Sequence, residues 1–434
     1  MIQHTRSTGR WGGCLAFGFA LAFGSPTPEA AEAPATSPPQ LMSLVAEAIA
    51  NNSDVAMARS ELDAARERIS TAGALDDPML ELGVVNAPLD PLSLRRDEMT
   101  MKMLGLGQRL PFPGKRGLRR AVASADAESV GLGLQETINR IGRDVRVAYE
   151  ELAFNAEAQR IVVRTRGALE QLAEIARSRY EVGNAAQNDV LDARIELERL
   201  SAESLQLTSE NDVLQGEMRR LLGRSGSTTR INAAAPQLAA QPGPVADSAS
   251  PAIENRPQLL ALQSLVERSS NSIDLAQREY YPDFDLKLQY GQRERAPDGM
   301  ARDDMVSLTV AFNLPIWRQS RLEPQVAEAR AMRRQAEERL LAEHLETQAA
   351  LETQLALVRQ WRTTAELYEG TLLPQVRAAV TSALAAYRVG RVDFLTLRQA
   401  QLREFEVTTD LAEAIANHNK AIAEIDLLVG RSGP

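Results

Sequence analysis

Cysteine and histidine are scarce in this chain of 434 residues, which has one cysteine and three histidines. Cys14 and His4 lie in an N-terminal segment that we expect to be removed, so the mature chain keeps only His344 and His418. Without a thiol it has no disulfide framework and no cysteine metal site, and the usual general base is nearly missing. Neither a phosphate-binding loop nor a metal-ligand spacing such as His-x-x-x-His occurs. We therefore expect no enzyme, no cofactor and no tightly bound metal.

Long hydrophobic runs are also rare. The run at residues 11–24 follows Arg6 and Arg10 and precedes a stretch rich in small residues and proline. This pattern predicts a secretory signal peptide over residues 1–24, with cleavage somewhere between 24 and 33. The run is about 14 residues long, too short to span a bilayer as a helix, and no later segment reaches about 18 uncharged apolar residues. If the protein enters a membrane, it must do so as strands.

An excess of basic residues is lacking as well. The formal net charge is -9 and the pI is near 5.2, which argues against a nucleic-acid partner, because such partners require a basic face. The acidity fits either a channel that carries cations or simple solubility.

Proline is absent from residues 114–235, and between 325 and 433 it occurs only at Pro374. These stretches are dominated by Ala, Leu, Glu, Gln and Arg, which are strong helix formers. A helix over residues 117–179 would extend roughly 95 Å at about 1.5 Å per residue. Such a length predicts packed, elongated helices rather than an ordinary globular domain.

Between the helices the hydrophobic period changes to two, which predicts strands at about 78–87, 98–110, 282–292 and 304–314. In the first hairpin Leu80 and Leu82 alternate with Glu81, and Met101 and Met103 alternate with Lys102. Strands of about nine to eleven residues with one apolar face suit a membrane barrel. Four strands are too few, because small closed barrels need about eight. Either several chains combine, or the strands form a soluble sheet packed on helices.

Aromatic residues make up only 4% of the chain, yet several cluster at the second hairpin. An interfacial girdle of a membrane barrel would place them there. They are Tyr280, Tyr281, Phe284, Tyr290, Phe312 and Trp317.

The two halves of the chain repeat each other. Asp77-Pro78 returns as Tyr281-Pro282, and Leu110-Pro111 returns at the same offset as Leu314-Pro315. Tyr180-Glu181-Val182-Gly183 returns at a slightly longer offset as Tyr387-Arg388-Val389-Gly390. We infer a tandem duplication. Its parts are repeat 1 at 34–226, a linker rich in Ala, Pro, Ser and Gln at 227–254, and repeat 2 at 255–434.

Several motifs resemble the outer membrane factors of the TolC family. They are Asn52-Ser53-Asp54, Leu110-Pro111-Phe112-Pro113-Gly114-Lys115-Arg116, Tyr180-Glu181-Val182-Gly183 with Asp189-Val190-Leu191-Asp192-Ala193, Arg256-Pro257, and Leu314-Pro315. The Leu-Pro-Phe-Pro-Gly-Lys-Arg run is most similar to CzcC-type members of heavy-metal efflux pumps. The resemblance spans nearly all of the mature chain.

The resemblance implies a mainly α fold with membrane hairpins. In it, a homotrimer has a transmembrane β-barrel of twelve strands, four per chain, continuous with a periplasmic helical barrel. It implies an outer-membrane location, contact with lipid, and docking to a periplasmic adaptor (membrane fusion protein) and an inner-membrane pump of the RND type. The expected function is a passive export duct for heavy-metal cations. The alternatives are a soluble periplasmic coiled-coil adaptor or scaffold, and the same duct serving drug efflux or type I secretion.

The resemblance also assigns roles to two inter-helix turns. Tyr180 and Gly183 in one turn, and Tyr387 and Gly390 in the other, are expected at the periplasmic tip. Glycine also simply ends helices, so an ordinary turn is the alternative.

The family carries carboxylates six and nine residues after the second turn glycine. This chain has Thr396 and Gln399 there, with Asp189 and Asp192 at the matching places of repeat 1. The aspartates form either a cation-selective ring or a solvated helix face. The resemblance further implies a gate hydrogen bond between Tyr387 and Asp189.

Prolines mark the corners where strands end and helices begin. Pro111, Pro113 and Pro315 are expected there, because proline cannot donate to a sheet ladder. A basic cluster follows the first corner, and either it contacts lipid or the adaptor, or it is solvated. Its members are Lys115, Arg116, Arg119 and Arg120.

Overall fold

The computed structural model describes residues 39–90, 92–226, 228–240 and 253–431. The signal peptide expected at residues 1–24 and much of the linker expected at 227–254 lie outside these ranges. The helices are α1 (Pro39–Asn51), α2 (Ser53–Ala72), α3 (Lys115–Glu181), α4 (Gln187–Leu221), α5 (Pro257–Arg278), α6 (Glu323–Leu367), α7 (Leu373–Arg388) and α8 (Phe394–Leu428). The strands are β1 (Met79–Val85), β2 (Met101–Leu110), β3 (Phe284–Gln292) and β4 (Met305–Phe312).

Local sequence signals set the helix ends. The Asn52 side chain accepts a hydrogen bond from the Asp54 backbone N–H at 2.8 Å and so caps α2. Asp393 caps α8 in the same way, accepting from the Thr396 N–H at 2.9 Å. Such caps satisfy amide groups that have no partner inside the helix.

The elements follow the two offsets seen in the sequence. Helices α2 and α5 begin at Ser53 and Pro257, which keep the offset of the strand and corner motifs. Helices α4 and α8 begin at Gln187 and Phe394, which keep the longer offset of the inter-helix turns. Each half thus has a short helix (α2 or α5), a hairpin and two long helical segments, and α1 precedes this set in the first half. This correspondence supports the proposal that the chain arose by tandem duplication.

The halves differ in their long helix. Helix α3 runs for 67 residues without a break, about 100 Å at the usual rise. Its counterpart is divided into α6 and α7 by a π-helical turn, Tyr368–Leu372. Pro374 lies at the start of α7, where its ring and missing N–H disturb the regular ladder.

Helix α3 holds the two halves together. Its apolar residues Ile141 and Val145 pack with Val45 of α1 and Leu221 of α4 in one core cluster. A corresponding cluster in the second half joins Leu259, Leu351 and Ile425, among others. Ion pairs connect α3 to helices of the second half: Arg143 to Glu424 at 2.5 Å, Arg146 to Asp426 at 2.7 Å, and Glu136 to Arg256 at 2.8 Å.

The four strands form one antiparallel sheet in the order β1-β2-β3-β4. The central pairing, β2 with β3, joins the two halves and aligns Leu106 with Leu288. Among the described residues, no helix combines the length and the apolar character needed to cross a membrane.

The corner between β2 and α3 is built around a buried lysine. Pro111 follows the last residue of β2, and Gly114 has a φ of 96°, a left-handed conformation that glycine adopts without a Cβ clash. The next residue, Lys115, is 0% exposed. Its ammonium group donates to Asp283 at 2.8 Å, Glu279 at 3.0 Å and the Tyr281 carbonyl at 3.0 Å. For Lys115, the expectation of a solvated or partner-binding residue is therefore wrong.

Candidate functional site

One face of the sheet is apolar and exposed. The cross-strand pairs Leu286 with Val310 and Leu288 with Leu308 lie on it. Its exposed side chains are Leu80, Leu82, Val84, Leu104, Leu106, Leu286, Leu288, Tyr290, Val306, Leu308, Val310 and Phe312. A contiguous apolar surface of this kind marks an interaction with lipid or with another protein.

The opposite face of the sheet is polar. Lys287 of β3 and Glu81 of β1 form an ion pair across it at 2.6 Å. Gln289 lies beside Glu81, and Ser307 and Thr309 continue the face on β4. Each strand therefore has one mainly apolar side and one side suited to water, with Lys102, Gln108 and Gln292 as the polar exceptions on the apolar face.

The structure corrects the phase expected for β2. The alternation of Met101 and Met103 with polar neighbours predicts that they lie on the apolar face. In the register, Met103 pairs with Gly291, and Leu104 pairs with Leu82 and Tyr290. Leu104 and Leu106 thus form the apolar face, while Met101 and Met103 lie on the polar one. The regular ladder begins only at Met101, so Met99 and Thr100 are outside the strand.

The outer edges of the sheet are not covered by the rest of the described chain. β1 and β4 are the edge strands, and all eight residues of β4 are exposed. An edge strand presents unpaired backbone groups that pair readily with another chain. Both edge strands can therefore pair with strands from other chains.

The two inter-helix turns lie side by side at one end of the helices. Gly183 and Gly390 have φ values of 77° and 75°, which end α3 and α7. Arg179 of α3 joins the turns, because it donates to the Tyr387 carbonyl and, at 3.1 Å, to the Asn184 carbonyl. The residues expected at the tip are thus brought together.

Tyr387 does not make the expected hydrogen bond to Asp189. Its ring is buried, with Phe394 edge-on at 5.9 Å and the Arg179 guanidinium 4.6 Å from its centre. Within the described residues, its hydroxyl has no hydrogen-bond partner. Burial, together with the nearby charge of Asp189, raises the pKa of Tyr387. The hydroxyl therefore stays protonated and neutral at physiological pH.

The aspartates of the first turn are only partly free. Asp192 lies 3.7 Å from Arg398, which also approaches the buried Glu196 at 3.6 Å. Burial raises the pKa of Asp189, and the charges of Asp192 and Asp393 raise it further, while Arg179 opposes them. Arg398 thus pairs with Asp192, while Arg179 only partly opposes the raised pKa of Asp189.

Thr396 and Gln399 are both exposed on α8. The Thr396 N–H and hydroxyl bond to Asp393, at 2.9 and 2.6 Å, so this residue completes the helix cap. Tyr180 is exposed one turn before Gly183.

Sequence reasoning missed Arg179 and Arg398, which both contact the other half of the chain. Arg179 of repeat 1 reaches Tyr387, and Arg398 of repeat 2 reaches Asp192. Spacing within a helix gives no signal for such long-range pairs. Across the described ranges, no group of three or more His, Cys, Asp or Glu side chains is arranged to hold a metal ion.

A family model described as "Outer membrane efflux protein" matches this chain twice, at residues 44–224 and 249–431. These two segments cover most of the sequence. The chain belongs to this family. It is therefore an outer-membrane efflux channel protein and not an enzyme.

Similar proteins agree with this assignment. The cobalt-zinc-cadmium resistance protein CzcC of Cupriavidus metallidurans is 23% identical over 409 residues, which are 92% of this chain and 91% of that protein. The crystal structure of CusC gives a TM-score of 0.76 at 15% identity, covering 90% of this chain and 92% of CusC. VceC from Vibrio cholerae also gives 0.76, at 18% identity over 90% of this chain and 96% of VceC. The efflux-channel chain therefore has the TolC-like fold expected from its sequence.

Proposed function

We propose that three copies of this chain form a passive duct through the outer membrane. The observation that carries the proposal is the sheet, which has one exposed apolar face, one polar face and two uncovered edges. Four strands are too few for a closed barrel, whereas twelve strands from three chains are enough. In that arrangement the apolar face meets lipid and the polar face lines the channel.

We propose further that the two turns dock to a periplasmic adaptor, which couples the duct to an inner-membrane pump of the RND type. Val182 and Val389, which are equivalent in the two repeats, are each 68% exposed at these turns. Leu191 and Leu395 are exposed just beyond them. Paired apolar side chains around a polar tip provide a surface for a partner protein.

Heavy-metal cations are the proposed cargo. The support is the similarity to CzcC, whose name records resistance to cobalt, zinc and cadmium, and the motif at residues 110–116. At 23% identity this similarity does not decide between cations, so the cargo must be tested directly.

The test is deletion of the gene, followed by growth on graded cobalt, zinc, cadmium, copper and silver salts and on a panel of drugs. We expect increased sensitivity to one or more metals. Plasmid-borne wild-type protein and Gln289→Arg should restore growth, whereas Leu288→Arg should not, because it places a charge on the lipid face. Unchanged metal sensitivity combined with increased drug sensitivity would move the proposal to a drug-exporting duct.

A further inference from the structure

Methionines are concentrated in the sheet and its loops. Six of the 11 methionines fall within the two hairpins, at positions 79, 99, 101, 103, 300 and 305. On a lipid-facing surface they would be ordinary apolar residues. Met101 and Met103 instead lie on the polar face, which also carries the Lys287–Glu81 ion pair.

Gly291 of β3 brings the two sulfur atoms together. A Cβ at this position would lie 2.6 Å from Met101 Sδ and 3.4 Å from Met103 Sδ. Both thioethers therefore occupy the space above the glycine and lie close to each other. A side chain at residue 291 would displace at least Met101, because the shorter distance is below any normal contact.

Met305 borders the same space from the other side. It pairs with Gly291 across β3 and β4, as Met103 does across β2 and β3. Directly paired residues share a face of the sheet, so Met305 projects on the same side as Met103. Its side chain is 43% exposed, which leaves it accessible from the solvent.

The thioether sulfur atoms of this cluster are uncharged, soft ligands. Thioethers favour Cu(I) and similar soft cations, whereas carboxylates and water favour hard ones. The Glu81 carboxylate on the same face is already engaged by Lys287 at 2.6 Å. Methionine has three rotatable bonds and adapts its sulfur position readily. The sulfur atoms above Gly291 can therefore turn toward one cation.

We propose that Met101, Met103 and Met305 form a thioether site for a soft monovalent cation, Cu(I) or Ag(I). Simple gap filling is the competing explanation, since methionine adapts to irregular spaces. Gap filling accounts for contact with Gly291 but gives no reason for three methionines beside one glycine on a face that also carries Glu81, Lys287, Gln289, Ser307 and Thr309. That the site lies on the path of exported cations rests on the proposed function.

The test is a titration of the purified protein, labelled with ¹³C at the methionine methyl groups, with silver nitrate in chloride-free detergent buffer. We expect saturable shifts of the Met101, Met103 and Met305 methyl signals, assigned with single Met-to-Leu variants. The exposed methionines Met57 and Met332 provide the internal control, and zinc should leave all signals unchanged. The double variant Met101→Leu with Met103→Leu should weaken Ag(I) binding by at least about tenfold.

Shifts equal to those of Met57, or no saturable shift in the wild-type protein, would overturn the site. The same conclusion follows if a folded double variant, recognised by an unchanged Met57 signal, binds Ag(I) as tightly as the wild type. This readout does not depend on export. If Ag(I) binds at the three methionines but gene deletion leaves metal sensitivity unchanged, the site stands and the duct for metals fails.

Discussion

Lys115 shows how much one residue contributes where the sheet meets the helices. Its ammonium group has no exposure to solvent, and three oxygen atoms surround it within 3.0 Å. All three acceptors, on Glu279, Tyr281 and Asp283, come from the second half of the chain. A buried charge with partners of this quality is tolerable, but loss of one member leaves the others unpaired.

Replacement of Lys115 by Met should therefore lower the free energy of unfolding by about 3–5 kcal/mol. The nearby Arg119 provides the control, since its side chain is half-buried and its contact with Glu279 is long, at 4.0 Å. Arg119→Met should change the free energy by about 1 kcal/mol or less. Urea unfolding of both variants in detergent micelles, followed by tryptophan fluorescence, measures the difference. Equal losses would show that the buried contacts of Lys115 do not stabilise the corner.

The two faces of the sheet should respond differently to charge. Leu288→Arg or Val310→Arg places a guanidinium against lipid, which costs about 2–4 kcal/mol near the middle of the bilayer. Gln289→Arg lies on the polar face and should be tolerated. The measurement is the yield of protein inserted in the outer membrane. If both faces gave the same yield, either the assignment of faces or the insertion itself would be wrong.

At the scale of the elements, α3 and α8 are joined through a half-buried carboxylate. Glu150 of α3 accepts a hydrogen bond from the Asn419 side chain of α8 at 3.1 Å. The same amide donates to the Gln237 carbonyl at 2.8 Å. Burial raises the pKa of Glu150 to about 7, although Asn419 and Lys420 act in the opposite direction.

This contact makes stability depend on pH. Between the ordinary value of 4.5 and about 7, the folded state holds a proton at Glu150 that the unfolded state has lost. Stability should therefore fall as pH rises through this window. Glu150→Gln keeps an acceptor for Asn419 and removes the titration. Above a pH of about 7 it should be more stable than the wild type, by on the order of 1–3 kcal/mol. A parallel pH dependence in both proteins, measured by urea unfolding, would contradict this assignment.

The contact between the turns should control the width of the tip. Arg179→Ala removes both hydrogen bonds that join the turns and the cation over the Tyr387 ring, so we expect higher single-channel conductance in planar bilayers. Arg177→Ala is the matched control, because Arg177 pairs with Glu181 of its own helix, at 3.1 Å. Tyr387→Phe should leave conductance unchanged, since the hydroxyl has no partner among the described residues. Equal conductance of the two arginine variants would exclude this contact from gating.

Periodicity was sufficient to locate the helices and strands, because apolar spacing reflects which face is buried. Periodicity predicted the wrong face for the methionines of β2. Gly105 and Gly107 have no side chains that would indicate which positions are polar, and methionine occurs in both apolar and polar environments. Periodicity also failed at Lys115, Arg179 and Arg398. Their partners come from distant parts of the chain, and only the folded arrangement brings these groups together.

At the scale of the whole molecule, the described chain does not complete its own sheet. The central pairing of β2 with β3 binds the two halves to each other, while β1 and β4 keep unpaired edges. The apolar face has no covering layer within the described chain. If each β1 pairs with the β4 of a neighbouring copy inside a lipid bilayer, the edge strands gain backbone partners and lipid covers the apolar face. Threefold closure then gives twelve strands, with the methionine cluster repeated three times around the channel.

The mass of the native particle distinguishes a membrane-embedded trimer from a soluble monomer. The protein should be extracted from outer membranes in mild detergent and measured by native mass spectrometry after detergent removal in the gas phase. Assembly as a membrane-embedded trimer gives a particle with three times the mass of the mature chain. A monomer recovered from the soluble periplasmic fraction, without detergent, would contradict it.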